Sequence, residues 1–103
     1  MIYKLTDVHV LKYPVLRVTF DDGMSGDIDL SNAINTKPIF AELRDETFFR
    51  KVALHKDGFS LGWKLDQLYE ELDLSADGLR ADVETILVKQ AAAEYRAKLQ
   101  AAE

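Results

Sequence analysis

The last quarter of the chain, residues 79–103, contains neither proline nor glycine, the two residue types that most often interrupt a helix. Ser75 and Asp77 stand just before this run, and both are residue types that cap helix N-termini. The first apolar residues of the run recur at the spacing of one helix face, and they are Leu79, Val83, Ile86 and Leu87. The run therefore predicts one long C-terminal helix, and the rest of the chain must supply the remainder of the fold.

A second apolar series follows on the same predicted helix, with steps of four, three, four and three residues, as in a heptad repeat. We call it the apolar stripe, and it consists of Val88, Ala92, Tyr95, Leu99 and Ala102. An isolated helix of this length is only marginally stable in water, so the stripe needs a surface to lie against. That surface is the chain's own sheet, a second copy of the chain, or another protein.

Of these three surfaces, we expect a second copy, and hence a homodimer. The stripe is narrow and rich in alanine, which suits two helices that approach closely. Tyr95 and Leu99 are its expected anchors, and Val88 and Ala92 are the other expected contacts. Truncation after Val83 is expected to leave a folded monomer. The chain's own sheet and a small protein partner are the other two candidates, and no membrane partner is expected.

The first half of the chain has the pattern of strands. Residues 8–20 alternate apolar with polar side chains and are rich in valine. Pro14 cannot donate a backbone hydrogen bond, so one strand is predicted on each side of it. Asp22-Gly23 and Asp57-Gly58 each predict a tight hairpin turn, because such turns need a positive φ that glycine adopts without strain.

The middle of the chain predicts a short helix after Pro38 and a second hairpin over residues 50–63. The aromatic residues Phe40, Phe48, Phe49 and Trp63 are the expected core, with Phe48 and Phe49 leading into a strand. After Lys64 the period becomes helical, at Leu65, Leu68, Tyr69 and Leu72. The predicted class is α+β: a small antiparallel β-sheet of about five strands and two hairpins, one short helix, and a long C-terminal helix partly packed on the sheet.

Length and composition narrow the class of protein. A chain of 103 residues has room for one domain, and the lack of cysteine excludes disulfides and thiolate metal sites. The N-terminus lacks the pattern of a secretory signal, and no long apolar run is present, so a cytoplasmic location is expected. Thirteen basic against eighteen acidic residues give a net charge of −5, which disfavours nucleic-acid binding.

Several clusters of polar residues could suggest a catalytic or metal-binding site, but none has the residue pattern that such a site requires. One run of carboxylates follows the only tryptophan, and it consists of Asp66, Glu70, Glu71, Asp73 and Asp77. It lacks the glycine of a calcium loop and is interleaved with leucine and tyrosine, so we expect solvated carboxylates and helix caps, with no metal site. A second group, Asp21, Asp22, Asp27 and Asp29, is explained by turn chemistry and outward-facing strand positions.

Nucleophilic and metal chemistry are also not expected. His9 and His55 are the only imidazoles, too few for a zinc site. Ser25 and Ser60 stand in no recognisable nucleophile motif, and no glycine-rich phosphate loop occurs. We therefore expect no enzyme, no catalytic residues, no cofactor and no metal.

Several segments occur in an order that is typical of one family: "FDDG" at 20–23, "DIDL" at 27–30, "IFAELRDETFF" at 39–49, a glycine hairpin ending in Trp63, and "DLSADGL" at 73–79. In this order the chain resembles the small bacterial family catalogued as domain of unknown function 2442, over about residues 1–80. The family commonly has a tight Trp-Pro-x-Gly connection before its "DL" segment, whereas this chain has "KLDQLYEEL" there. The resemblance implies an α+β domain without an assigned reaction, and members that look, by context, like toxin–antitoxin components or DNA-associated regulators.

The resulting hypothesis is a domain over residues 1–80 with a helical extension over residues 81–103. Its expected function is a non-enzymatic protein-interaction module, specifically the antitoxin or accessory half of a bacterial regulatory pair. The alternative is a component of a DNA-binding transcriptional regulator. Basic residues on the last helix would serve it, yet Lys89, Arg96 and Lys98 are accompanied by Glu84 and Glu94, a mixture typical of a solvated face.

Overall fold

The first sheet is an antiparallel meander in a computed structural model, which describes residues 2–67 and 71–102. It contains β1 (Leu5–Lys12), β2 (Val15–Phe20) and β3 (Ser25–Asp29), in the order β1-β2-β3. The strands break at Pro14 as predicted, and Gly23 has a φ of 89° in the turn between β2 and β3. The meander predicted from the alternating residues is confirmed.

Three short helical segments follow the meander: α1 (Ser31–Thr36), a 3₁₀ helix (Pro38–Arg44) and α2 (Glu46–Phe49). Pro38 is the first residue of the 3₁₀ helix. A backbone N–H at this position has no hydrogen-bond partner within the helix, so a proline there costs no hydrogen bond. Asp45 caps α2, because its Oδ1 accepts the N–H groups of Thr47 at 3.0 Å and Phe48 at 3.4 Å. This corrects the expectation that Phe48 and Phe49 lead into a strand.

The second sheet contains β4 (Ala53–Leu54), β5 (Ser60–Trp63) and β6 (Leu72–Ser75), in the order β4-β5-β6. Gly58 has a φ of 78° in the β4–β5 turn, as its sequence predicts. The α+β class is confirmed, but its single sheet of about five strands is in fact two sheets of three strands each.

Leu72 also differs from its predicted role. It belongs to β6 and pairs with Trp63, because hydrogen bonding to β5 outweighs the helical spacing that Leu72 shares with Leu65. Leu68, Tyr69 and Glu70, which belong to the same predicted segment, lie outside the described residues.

One hydrophobic core joins both sheets, the short helices and the start of the last helix, α3 (Ala76–Ala102). Trp63 is 1 % exposed, its Nε1 donates to the Phe49 carbonyl oxygen at 2.8 Å, and the two rings lie 5.6 Å apart. The predicted core positions of Trp63 and Phe49 are confirmed, whereas Phe40 and Phe48 are partly buried at the margin. The other fully buried large side chains are Phe20, Leu16, Leu43, Leu61, Val18 and Val83.

The molecule is elongated, with dimensions of 58 × 30 × 20 Å. The long axis reflects α3, whose 27 residues span about 40 Å. Within the described residues, no helix has both the length and the apolar character needed to cross a membrane.

Candidate functional site

The first turns of α3 are held in the domain by a cap and by buried apolar side chains. The Ser75 Oγ accepts the N–H of Gly78 at 3.1 Å, which satisfies one of the donors that a helix start leaves open. Ala76, Leu79 and Val83 are 1, 3 and 1 % exposed. The predicted cap at Ser75 is confirmed.

Asp77, the other predicted cap, has a different role. Its Oδ1 accepts the backbone N–H of Tyr3 at 3.1 Å, and thereby joins the first turn of α3 to the N-terminal segment. An acidic residue in the first turn of a helix is also favoured by the helix dipole. Asp77 therefore fastens α3 to the domain and is not its cap.

α3 crosses β3 at Gly26. A Cβ atom at that position would lie 2.7 Å from Cγ1 and 2.8 Å from Cγ2 of Val83, far inside van der Waals contact. Helix and strand can approach this closely because the residue between them has no side chain. Val83 is the last buried residue of α3 among those that the structure describes.

A buried arginine links α3 to the β2–β3 turn. Arg80 is 6 % exposed and bonds both oxygens of Asp22, with Nη1 to Oδ1 at 3.0 Å and Nη2 to Oδ2 at 2.9 Å. Its Nε donates to Glu84 Oε1 at 2.9 Å. The guanidinium also lies 4.5 Å from the ring centre of Tyr3 and 5.0 Å from that of Phe20. Such a planar, bidentate and stacked arrangement suits arginine and not lysine.

The same contacts shift two pKa values. Hydrogen bonds from Arg80, and then the backbone N–H of Met24, hold the pKa of the Asp22 carboxyl below its usual range. Asp22 and Glu84 in turn raise the pKa of Arg80, so this buried cation stays charged. The cluster fixes the direction in which α3 leaves the domain.

Beyond Val83 the surroundings of α3 change. Residues 84–102 continue as helix, but their large apolar side chains face solvent: Val88 is 68 %, Tyr95 64 % and Leu99 51 % exposed. Ala92 is partly exposed, and the side chain of Ala102 lies outside the described residues. The apolar stripe predicted from the heptad spacing is therefore uncovered in the single chain.

The stripe lies on the side of α3 that faces away from the domain. With about 100° of rotation per residue, Tyr95, Leu99 and Ala92 are displaced from Val83 by about 120°, 160° and 180° around the helix axis. Ala81 and Thr85 lie on the same side and are exposed. We call this side the outer face, and it consists of Ala81, Thr85, Val88, Ala92, Tyr95 and Leu99.

The outer face has a shallow depression near the domain, about 440 Å³ in volume, where small side chains leave room. Its lining residues are Ala81, Glu84, Thr85, Val88 and Lys89. It is open to solvent along the helix, and it can therefore accept side chains from another helix more readily than enclose a small ligand.

A second groove, of about 290 Å³, lies on the domain side of α3, beside β3. Val83, Ile86 and Leu87 contribute its apolar wall. Across the groove, Arg17 Nε donates to Asp27 Oδ1 at 2.8 Å and Nη2 to Oδ2 at 3.2 Å, which lowers the pKa of Asp27. Both charges of this groove are thus already paired within the chain.

The other polar residues that the sequence singled out are dispersed. His9 contacts Asp7 at 3.0 Å, and His55 contacts Asp57 at 2.9 Å, each within one strand or turn. The Asp29 Oδ1 accepts the N–H of Ser31 at 2.9 Å, a turn contact that lowers the pKa of Asp29.

The carboxylates that follow Trp63 are dispersed as well. Asp66, Glu71 and Asp73 are exposed, and Glu70 lies outside the described residues. Within residues 2–67 and 71–102, the structure brings together no group of three or more side chains that could hold a metal ion.

The sequence did not predict the two contacts that set the direction of α3 relative to the sheets. Arg80 and Asp22 are separated by 58 residues, and Gly26 and Val83 by almost as many, so no local pattern connects them. One signal was present: Arg80 stands between Leu79 and Val83 on the buried side of a helix, where an arginine needs a carboxylate partner.

Comparisons with known proteins give one family. The family model described as "Protein of unknown function (DUF2442)" matches residues 5–85, which include both sheets and the buried start of α3. Searches of curated proteins and of solved structures find no match for the chain.

Proposed function

We propose that this chain, which belongs to the DUF2442 family of proteins of unknown function, is a non-enzymatic protein-interaction module that binds through the outer face of α3. In its specific form, the module is the antitoxin or accessory half of a bacterial regulatory pair and works in the cytoplasm. The absence of cysteine fits that compartment. The binding element is residues 84–102, and the two sheets are the platform that carries it.

The observation that carries the proposal is the exposure of Val88, Tyr95 and Leu99 on one side of a continuous helix. Burying each of these side chains would contribute about 1.5 to 3 kcal/mol to the free energy of binding, so covering all three would stabilise a complex substantially. Tyrosine is also one of the residue types enriched at protein interfaces. An amphipathic helix that lays such a row into a groove is a common recognition mode.

The position of the stripe supports an external partner over the chain's own sheets. Val83 packs against β3 on one side of α3, whereas Tyr95 and Leu99 lie on the opposite side. A bend in α3 toward the sheets would bring the wrong side of the distal helix against them. No proline or glycine follows Gly78 to provide such a bend.

The contacts of the polar residues support a module that catalyses no reaction. Asp22, Asp27 and Asp29 hold Arg80, Arg17 and a turn N–H respectively, so these carboxylates serve contacts within the fold. A general acid or base would need to reach a substrate in a cleft. Both signs of charge occur on the helix, since Lys89 and Arg96 share one flank of the stripe with Asp82, which speaks against a DNA-reading face.

The proposal is tested by binding experiments on three full-length chains. They are the wild type, a Tyr95→Glu/Leu99→Glu variant, and an Ala93→Glu/Ala97→Glu control, which places the same two charges on the other side of the same helical segment. We expect the wild type and the control to bind a protein, either a second copy or a different chain, and the stripe variant to lose it. Captured proteins are then purified and their binding is measured with each of the three chains.

Equal binding by all three chains would contradict the proposal, as would the absence of both self-association and any partner. Salt-sensitive retention of DNA by all three chains would favour the regulator hypothesis instead.

A further inference from the structure

We infer that the partner of the outer face is a second copy of this chain, bound with its helix antiparallel to the first. This inference rests on the proposed function, because it names the occupant of the same surface. Three features of α3 lead to it: the distribution of charge beside the stripe, the order of large and small residues along it, and the space on either side of it.

Acidic and basic side chains that flank the outer face lie at opposite ends of it. Asp82 and Glu84 lie beside its domain-proximal end, whereas Arg96 and Lys98 lie beside its distal end. An antiparallel second copy brings the acidic end of each helix against the basic end of the other. Asp82 then faces Arg96, and Glu84 faces Lys98, twice each because of the twofold symmetry.

A parallel second copy fits these charges less well. Glu84 would lie beside Asp82 as well as Lys89 of the other chain, and Lys98 would lie beside Arg96. Antiparallel helices also place each positive dipole end near a negative one, whereas parallel helices align like ends. The one like-charge contact of the antiparallel pair is Lys89 with its own symmetry mate.

Side-chain sizes along the outer face are complementary in the same register. With the symmetry axis near residue 90, Leu99 meets Ala81 and Tyr95 meets Thr85 of the second copy. Val88 meets Ala92 in the same way. Each large residue thus faces a small one, as interdigitating helix packing requires. The shallow depression lined by Ala81 and Thr85 is where Leu99 and Tyr95 of the second copy would lie.

The structure leaves space for this partner. Ala81, Asp82 and Thr85 are exposed, so the side of α3 that the second helix would cover is uncovered even where α3 packs on β3. The two domains would lie at opposite ends of the helix pair and on its two outer sides.

The orientation is tested by distances between spin labels in the full-length protein, which contains no cysteine and can be labelled at single introduced sites. Gln100→Cys places the label ten residues from the symmetry axis, and Ala91→Cys, on a flank of the outer face, places it next to the axis. In the antiparallel dimer the two labels at position 100 are separated by about 30 Å along the helix axis, and those at position 91 by about 3 Å. A parallel dimer gives no separation along the axis at either position and would overturn the inference.

Charge reversal provides a second test that does not depend on labels. Arg96→Asp and Asp82→Arg should each weaken the dimer about three- to tenfold, because each variant places like charges in contact twice. Both changes in one chain should restore the affinity. A parallel pair predicts no loss for Arg96→Asp, since Arg96 would then lie beside Lys98, and that result would contradict the antiparallel arrangement.

Failure of this inference can be told apart from failure of the proposed function. If the chain is monomeric at high micromolar concentration, the second copy is wrong as the partner. A different protein that binds the wild type and not the Tyr95→Glu/Leu99→Glu variant would overturn this inference and still support the proposed function. Binding of neither kind would overturn both.

Discussion

The two parts of α3 share one helical backbone and have opposite surroundings. Residues 76–83 bury Leu79 and Val83 against the sheets and hold Arg80 beside Asp22. Residues 84–102 leave Val88, Tyr95 and Leu99 in solvent. The first part is helical because it is packed, and the second because it continues the first.

This difference has a thermodynamic consequence for binding. Forming the first turn of a helix is the unfavourable step, and adding a residue to an existing helix costs little further free energy. The domain therefore supplies the nucleus through Ser75, Leu79 and Val83, and the distal part is already helical in the single chain. A preformed helix loses less conformational entropy on binding than a disordered segment would.

The strongest test of the comparison applies one substitution to both parts of the helix. Leu79→Ala should lower the free energy of unfolding by about 2 to 5 kcal/mol, the usual range for a buried leucine. Leu99→Ala should change it by less than about 0.5 kcal/mol, because the side chain is exposed in the single chain. Urea denaturation at low protein concentration measures both. An equal loss for the two variants would show that the distal part belongs to the core.

The contact between α3 and β3 is tested next. Gly26→Ala should cost about 1 to 3 kcal/mol, because the added methyl group overlaps Val83. Ser25→Ala, at the neighbouring exposed position, is the control and should be nearly neutral. Val83→Ala makes room for the methyl group, so the double variant should lose less than the sum of the two single changes. A fully additive double variant would mean that helix and strand do not touch there.

A smaller effect is expected from acid. Because Arg80 depresses the pKa of Asp22 in the folded protein, the pair stabilises the fold fully above the unfolded pKa of an aspartate. That contribution is lost as the pH falls through the lower folded value. Asp22→Asn should therefore be less stable than the wild type at neutral pH, and the two should converge in strong acid. Asp21→Asn is the control, and a constant difference between wild type and Asp22→Asn at all pH values would contradict the pairing.

The parts of the fold that depend on local geometry could be predicted from the sequence. Gly23 and Gly58 have the positive φ that their turn sequences require, and Ser75 caps the helix that it precedes. The heptad spacing of Val88, Tyr95 and Leu99 likewise predicted an apolar stripe along one side of a helix, and these residues do lie on one side of α3. In each case the physical cause lies within a few residues of the chain.

The parts that depend on distant contacts could not be predicted. The division into two sheets follows from strand pairing, such as Leu72 with Trp63, which local spacing does not encode. The side of α3 that faces the domain is set by Gly26 and by the Arg80–Asp22 pair, both made across the fold. Without these contacts, the spacing of the apolar stripe does not show whether the stripe faces the sheets or the solvent.

The most direct test of the central claim is the mass in solution of three chains: the full-length protein, the chain ending at Val83, and the full-length Tyr95→Glu/Leu99→Glu variant. Light scattering at high micromolar concentration, with circular dichroism on the same samples, should find a dimer for the first and folded monomers for the other two. A monomeric full-length chain would contradict self-association through the outer face. An unfolded chain ending at Val83 would contradict the division of α3 into a structural part and a binding part.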